Sequence, residues 1–210
     1  MQTLTTPRLT LRPWTPGDAD AVLDIYSRWH VMRYVGVTPR VLEHRDEAVE
    51  RVERWAAADD GTHGVWAVVP REGASSGDDR PVGTILLKPI PASGTGDPLQ
   101  PSGDTEIGWH FHPDVWGRGY ATEAAAAVLA HAFGRGLDRV VAVTHPDNAA
   151  SQAVCRRIGM THRGTTDAYY DTTCELFDIA GAPGEDHGAR VSRPSGPRAR
   201  DHGTGGAPGR

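Results

Sequence analysis

The sequence predicts a mixed α/β (α+β) domain in which one sheet carries helices on both faces. Two observations lead there. Successive stretches repeat their apolar residues with a strand-like period of two or a helix-like period of about 3.6. Their order is strand, two helices, three strands, helix, strand, helix, two strands. The second observation is Asp104 to Ala127, DTEIGWHFHPDVWGRGYATEAAAA, which passes from a strand through a glycine-rich turn into a helix. In it Ile107, Trp109 and Phe111 alternate with Glu106, Gly108, His110 and His112, so the two faces of the strand differ. Pro113 and Asp114 break the ladder, because proline donates no hydrogen bond. Two glycines, Gly117 and Gly119, then let the backbone approach a ligand, and the alanines from Ala124 to Ala127 favour a helix at once.

The other elements follow in order. Leu9 and Leu11 alternate with Arg8, Thr10 and Arg12 in a first strand. Thr15 and Pro16 mark a helix start, with Ala19, Val22, Leu23, Tyr26 and Trp29 on one face. His30 to Arg40 reads as a loop, and a second helix is expected from about Arg45 to Ala58. Val65–Val69 and Val82–Leu87 are apolar strands; Arg71–Arg80 between them reads as a mobile hairpin loop and Pro89–Gly103 as a second loop. The central helix should stop near Gly134 or Gly136. Arg139–Thr144 is a short strand, and Asp147 or Asn148 caps a helix ending at Gly159. Met160–His162 and Cys174–Ile179 are the last strands, joined by a loop holding Tyr169 and Tyr170.

One domain is expected over 1–181, followed by a disordered tail, 182–210, with almost nothing to bury. A formal net charge of -5 gives no support to a nucleic-acid partner held by a basic surface. No apolar stretch approaches the roughly 20 residues that span a bilayer, so no membrane is expected. The N-terminus lacks the apolar core of a signal peptide, and two cysteines are too few for a disulfide framework. A cytoplasmic protein, monomer or homodimer, fits these features.

The strand–turn–helix order suits an anion site, since the unpaired N–H groups at a helix start, aided by the helix dipole, fit a pyrophosphate; on the glycines alone a plain structural turn between strand and helix is the alternative. A dinucleotide fold is excluded, since the third glycine is missing and no ribose-binding acid ends the next strand. A Walker loop is excluded because no Gly-Lys-Ser/Thr follows. Read together, Thr6-Pro7-Arg8-Leu9, Glu106-Ile107-Gly108-Trp109, Trp116 to Ala124, Asn148-Ala149-Ala150-Ser151 and Arg157-Ile158-Gly159-Met160 resemble the Gcn5-related N-acetyltransferase (GNAT) superfamily, most closely its RimJ/RimL branch. The resemblance runs from about Leu4 to Ile179.

The resemblance implies a mostly antiparallel sheet that splays after a bulge in the central strand, with acetyl-coenzyme A as cosubstrate in the gap. It implies that N–H groups of Trp116, Gly117, Arg118, Gly119, Tyr120 and Ala121 hold the pyrophosphate. The pantetheine arm is expected near Phe111 and His112, with Asn148 binding it as well. Arg118 stays open between a phosphate contact and a solvated arginine, and Asn148 between that role and a plain N-cap.

Acetyl transfer to an amine needs a base. The resemblance points to Glu106, and the pleat offers His110 as a competitor, since the two share a face if no bulge separates them. Superfamily members often place a tyrosine acid where this chain has Cys155; here the branch points instead to the Ser151 hydroxyl. Cys155 reads as packing. His110, His112 and His145 lack metal-ligand spacing, and no metal is expected. Trp14, Trp29 and Trp55 read as core or cleft wall. The implied activity is direct N-acetyl transfer from acetyl-coenzyme A to a primary amine, on a protein N-terminus or a small molecule. The alternatives are another acyl donor, or a non-catalytic coenzyme A binder of the same fold.

Overall fold

The computed structural model describes residues 1–71, 79–94, 96 and 98–181. The expected tail at 182–210 and most of the Arg71–Arg80 loop lie outside them. Eight strands form one sheet: β1 (Leu4–Thr5), β2 (Leu9–Pro13), β3 (Gly64–Pro70), β4 (Gly83–Pro91), β5 (Pro101–Phe111), β6 (Arg139–Thr144), β7 (Thr161–Thr166) and β8 (Cys174–Ala180). Their spatial order is β1-β2-β3-β4-β5-β6-β8-β7. Every neighbouring pair is antiparallel except β5 and β6, which run parallel and meet only at Glu106↔Val141. β6 pairs instead with β8 along its whole length, from Arg139↔Ala180 to Thr144↔Glu175. Beyond Glu106 the sheet therefore opens, and the edge of β5 from Ile107 to Phe111 has no strand beside it.

Five helices cover the two faces: α1 (Ala19–Tyr26), α2 (Trp29–Met32), α3 (Arg45–Ala57), α4 (Tyr120–Gly134) and α5 (Ala149–Arg157). One core lies under α4 and α5, where Val128, Ala132 and Cys155 meet Leu9, Trp66, Ile85, Ile107 and Phe177. On the opposite face Val22, Ile25 and Tyr26 of α1 and Val52 of α3 pack over Val65 and Ala67. Each large apolar side chain buried this way contributes about 1.5–3 kcal/mol relative to an exposed one.

Four expectations are corrected. The first helix is not continuous to Trp29. Pro16–Asp18 forms a 3-10 turn, α1 ends at Tyr26, and Trp29 starts a separate short helix with its side chain 55% exposed. The capping work falls to Asp18, whose carboxylate accepts from the N–H and hydroxyl of Thr15 at 2.8 Å each. The Pro89–Gly103 loop is largely a hairpin: β4 runs to Pro91 and β5 starts at Pro101, with Ser102 Oγ donating to Ile90 O at 2.6 Å. No bulge interrupts β5 between Glu106 and Phe111, because its register with β4 is unbroken from Thr105 to Phe111. The shift lies at Pro89/Pro91, where prolines cannot donate to the ladder. The splay thus comes from β6 leaving β5 for β8. Finally, β7 starts at Thr161 and runs to Thr166, four residues past the expected end at His162.

Candidate active site

A cavity of about 960 Å³ fills the gap between β5 and β6. It runs from Lys88 and Glu106 at the root of the splay, past Trp109, His110 and Phe111, to the turn that starts α4. Residues of α2 and the segment after it line one side, and Tyr34 there lies 5.0 Å from the ring of His145 in the β6–α5 connection.

The turn is shaped by its glycines. Gly117 and Gly119 have φ of 75° and 78°, the left-handed region where a side chain is strained. This conformation leaves the N–H groups of Gly117, Gly119, Tyr120 and Ala121 with no hydrogen-bond partner among the described residues. They lie at the positive end of a helix of 15 residues. The N–H of Trp116 is used within the turn, donating to Pro113 O at 3.1 Å, and that of Arg118 reaches Val115 O at 3.4 Å. The turn is held from outside by Arg8. Its Nε donates to Glu123 Oε2 at 2.7 Å and its Nη1 to Arg118 O at 2.9 Å, while Thr6 Oγ1 donates to Glu123 Oε1 at 2.6 Å. The Thr6-Pro7-Arg8 and Glu123 motifs, far apart in sequence, are thus one clamp.

Of the expected binding positions, Phe111, Trp116, Gly117, Gly119, Tyr120, Ala121, Asn148 and Ser151 line the cavity. His112 and Arg118 do not. The N–H of His112 donates to Val82 O at 2.9 Å, and its ring turns toward Asp24, with Nε2 buried, unbonded and 3.6 Å from Asp24 Oδ2. Because β5 groups alternate in direction, that bond sets the pattern: Trp109 and the N–H of Phe111 face the gap. The Phe111 carbonyl accepts from Trp116 Nε1 at 2.8 Å. Asn148 caps α5, its Oδ1 accepting from the N–H of Ser151 at 3.1 Å, which leaves its amide NH₂ for the cavity. The Ser151 hydroxyl takes no hydrogen bond among the described residues.

Glu106 and His110 share a face of β5, as their pairing with Lys88 and Thr84 shows, but their surroundings differ. Glu106 is 8% exposed. Its Oε2 accepts from the Tyr170 hydroxyl at 2.5 Å and lies 3.7 Å from Lys88 Nζ. Burial raises its pKa above the ordinary carboxylate value, against the opposing pull of Lys88 and of the Tyr170 and Lys88 hydrogen bonds. His110 Nδ1 lies 2.9 Å from the Tyr26 hydroxyl. Burial lowers the His110 pKa to about 4, helped by Arg51 and Lys88, and raises that of Tyr26 to about 12. Both groups are therefore neutral in the fold, a phenol hydrogen-bonded to an uncharged imidazole.

Three residues of the site were not read from the sequence. Tyr170 and Lys88 flank Glu106, with Lys88 Nζ donating to Tyr170 Oη at 2.8 Å. A lone lysine in the apolar strand ILLKPIP was the available signal for Lys88; Tyr170 left none. Arg8 belonged to a recognised motif but its contact with the turn did not show. Cys155 is wholly buried in the main core. Among the described residues no group of three or more His, Cys, Asp or Glu is arranged to hold a metal ion, and no helix is long and apolar enough to cross a membrane.

Comparison with known proteins fits this geometry. A model of the acetyltransferase (GNAT) domain matches residues 8–161. FsC-acetyl coenzyme A-N(2)-transacetylase of Aspergillus fumigatus is 31% identical over 206 residues, spanning 94% of this chain and 83% of its own. The uncharacterized N-acetyltransferase YoaA of Bacillus subtilis is 29% identical over 168 residues, 79% of this chain and 86% of its own. A RimL ribosomal L7/L12 α-N-protein acetyltransferase, solved in complex with coenzyme A, shares the fold at 17% identity with a TM-score of 0.67, over 86% of this chain and 98% of that one. On the domain match across most of its described length, together with these relatives, the chain belongs to the GNAT family of acetyltransferases.

Proposed function

We propose that this enzyme transfers an acetyl group from acetyl-coenzyme A directly to a primary amine, with Glu106 as general base. One observation carries the reading: a single cavity joins a buried carboxylate to a helix-start turn in which the amides of Gly117, Gly119, Tyr120 and Ala121 have no partner among the described residues. The residues fit the cosubstrate. The amides of Gly117, Gly119, Tyr120 and Ala121 suit a diphosphate, and the positive φ at both glycines is the conformation that turns them outward. The edge of β5 at Trp109 and Phe111, with the Asn148 amide, suits an amide-bearing arm. The cosubstrate supplies the activated acetyl thioester. The name of the Aspergillus relative, which describes N-acetyl transfer from acetyl-coenzyme A, supports that donor.

The chain's own task is to remove a proton from the acceptor and to keep water out. Glu106 is placed for this. Its Oε1 has no hydrogen bond among the described residues, and a pKa raised by burial brings it toward the working pH. His110 is a poorer base, since Tyr26 occupies Nδ1 and its pKa is lowered to about 4. The Ser151 hydroxyl, on the opposite wall, is the candidate donor to the departing sulfur.

The test is release of free thiol from acetyl-coenzyme A over a panel of N-terminal peptides, polyamines and aminoglycosides. Glu106→Gln should reduce kcat by about 10²–10⁴-fold at neutral pH. A thermal shift with acetyl-coenzyme A but no thiol release with any amine would instead identify a binding protein. Full activity in Glu106→Gln across the pH range would reject the base assignment.

A further inference from the structure

The Tyr170 hydroxyl does not reach Glu106 by chance of a flexible loop. Tyr170 and Asp171 are the two non-glycine residues with positive φ among those described, at 59° and 51°. For a bulky tyrosine this backbone is an outlier that persists only where its surroundings over-determine it. Here they do. The preceding residue, Tyr169, is buried between Ile90 and Val141, and its hydroxyl donates to Asp104 Oδ2 at 2.7 Å. Ser93 N–H donates to Ala168 O at 2.8 Å and Asp171 N–H to Ser93 Oγ at 3.0 Å. Gly94 N–H closes the set on Asp171 Oδ1 at 2.8 Å. The β7–β8 connection is thereby fastened to the end of β4, and the strained residue between the fasteners is the one aimed into the cavity.

Its target is specific. Lys88 Nζ donates to Tyr170 Oη, and Tyr170 Oη donates to Glu106 Oε2, so both donors converge on the same end of the carboxylate. Oε1 is left without a partner among the described residues. We propose that Tyr170 is a positioning residue that, with Lys88 behind it, locks the Glu106 carboxylate so that Oε1 faces the acceptor amine. The proposal rests on Glu106 being the base. In the step it serves, the acceptor ammonium gives its proton to Oε1 and becomes the neutral nucleophile; Tyr170 keeps its own proton and Lys88 stays charged.

A structural role alone would lower the rate equally at every pH, whereas a hydrogen bond to the base must appear in the pH profile. The ionisable groups that act on Glu106 are Lys88 from β4, Tyr170 from the connection and Cys174 from β8. Removing the Tyr170 O–H withdraws a donor from the carboxylate, so the acid limb of kcat/KM should move to higher pH. A charge-assisted hydrogen bond corresponds to a shift of about one unit. The experiment compares full-length wild type, Tyr170→Phe, Lys88→Met and Glu106→Gln with acetyl-coenzyme A and the best amine of the panel. Tyr170→Phe should keep the affinity for acetyl-coenzyme A within about twofold, lower kcat about tenfold or more, and raise the acid limb. Lys88→Met should raise the limb as well, and it covers the case in which Tyr170→Phe does not fold. An acid limb that stays in place in whichever of these two variants folds overturns the proposal. If Glu106→Gln retains the wild-type limb, the base assignment itself has failed, and the proposal with it.

Discussion

Arg8 and Glu123 form a two-nitrogen ion pair, with Nε at 2.7 Å and Nη2 at 2.6 Å from the same carboxylate oxygen, and it spans the start of β2 and the first turn of α4. A carboxylate in that first turn would otherwise oppose any anion bound at the turn beside it. Arg8 neutralises it and, by also holding the Arg118 carbonyl, keeps the glycine turn in shape. Arg8→Met should therefore weaken acetyl-coenzyme A binding about threefold to tenfold, more at low salt, since charge effects at a helix start are worth about 0.3–1 kcal/mol or somewhat more when part-buried. Titration calorimetry at two salt concentrations checks this. Glu123→Ala should cost about 1–3 kcal/mol of stability by leaving the Arg8 N–H without its acceptor and the Thr6 hydroxyl with only the longer bond to Leu9 O at 3.3 Å.

Gly117 has open space where a Cβ would stand, so Gly117→Ala tests the backbone alone. The left-handed conformation should cost the alanine variant about 1–2 kcal/mol. If the variant relieves that strain by rotating the peptide, its amide leaves the anion site. The thermal shift given by acetyl-coenzyme A should then be smaller than in wild type while the far-UV spectrum is unchanged. An undiminished ligand shift would mean that this amide is not used.

His110 makes stability depend on pH with a definite sign. Its pKa is lowered to about 4 in the fold from 6.5, so between those values the unfolded chain binds a proton that the folded chain does not. The His110 contribution is complete above pH 6.5 and is lost as pH falls toward 4. Glu106 acts with the opposite sign: its raised pKa favours the fold when it is protonated, and that contribution is lost as pH rises through the raised value. Urea unfolding from pH 4 to 7 should show a slope in His110→Asn that is shallower than wild type by up to ~1.4 kcal/mol per pH unit. Equal slopes would mean that the fold does not lower the His110 pKa.

Both cysteines are free and buried, and burial raises their pKa values, Cys155 to about 12 and Cys174 to about 11. Thiolate is the reactive form, so neither should react with an aromatic disulfide reagent in the native protein at pH 8. Both should react on unfolding. The reagent therefore reports local opening near Cys174, on the cavity wall, before global unfolding exposes Cys155.

Most element types and their order were legible because hydrophobic periodicity is local: Val65–Val69, Arg139–Thr144 and the helix from Arg45 declare themselves within a few residues, whereas β1 and α2, two and four residues long, are too short to show a period. The glycine turn was legible for the same reason, since Gly117 and Gly119 answer a backbone requirement that no other residue meets cheaply. The boundaries that failed did so where proline chemistry met tertiary pairing. Pro89 and Pro101 read as loop, yet a hairpin with a shifted register accommodates them. Trp29 read as core or cleft wall because its spacing continued a helix that Tyr26 in fact ends, and it is exposed instead.

By itself, then, the sequence determined the α/β class, the strand–turn–helix frame of the candidate anion site and the presence of an acid, Glu106, in the strand before it. The tertiary structure alone decided what that acid touches. Tyr170 lies 64 residues from Glu106 in the chain, Tyr26 lies 84 from His110 and Arg8 lies 115 from Glu123. No local period encodes such pairs. The pair at the carboxylate arises because β6 abandons β5 for β8, which opens the cavity, and because the connection after β7 folds back onto the end of β4 and brings a strained tyrosine to Glu106.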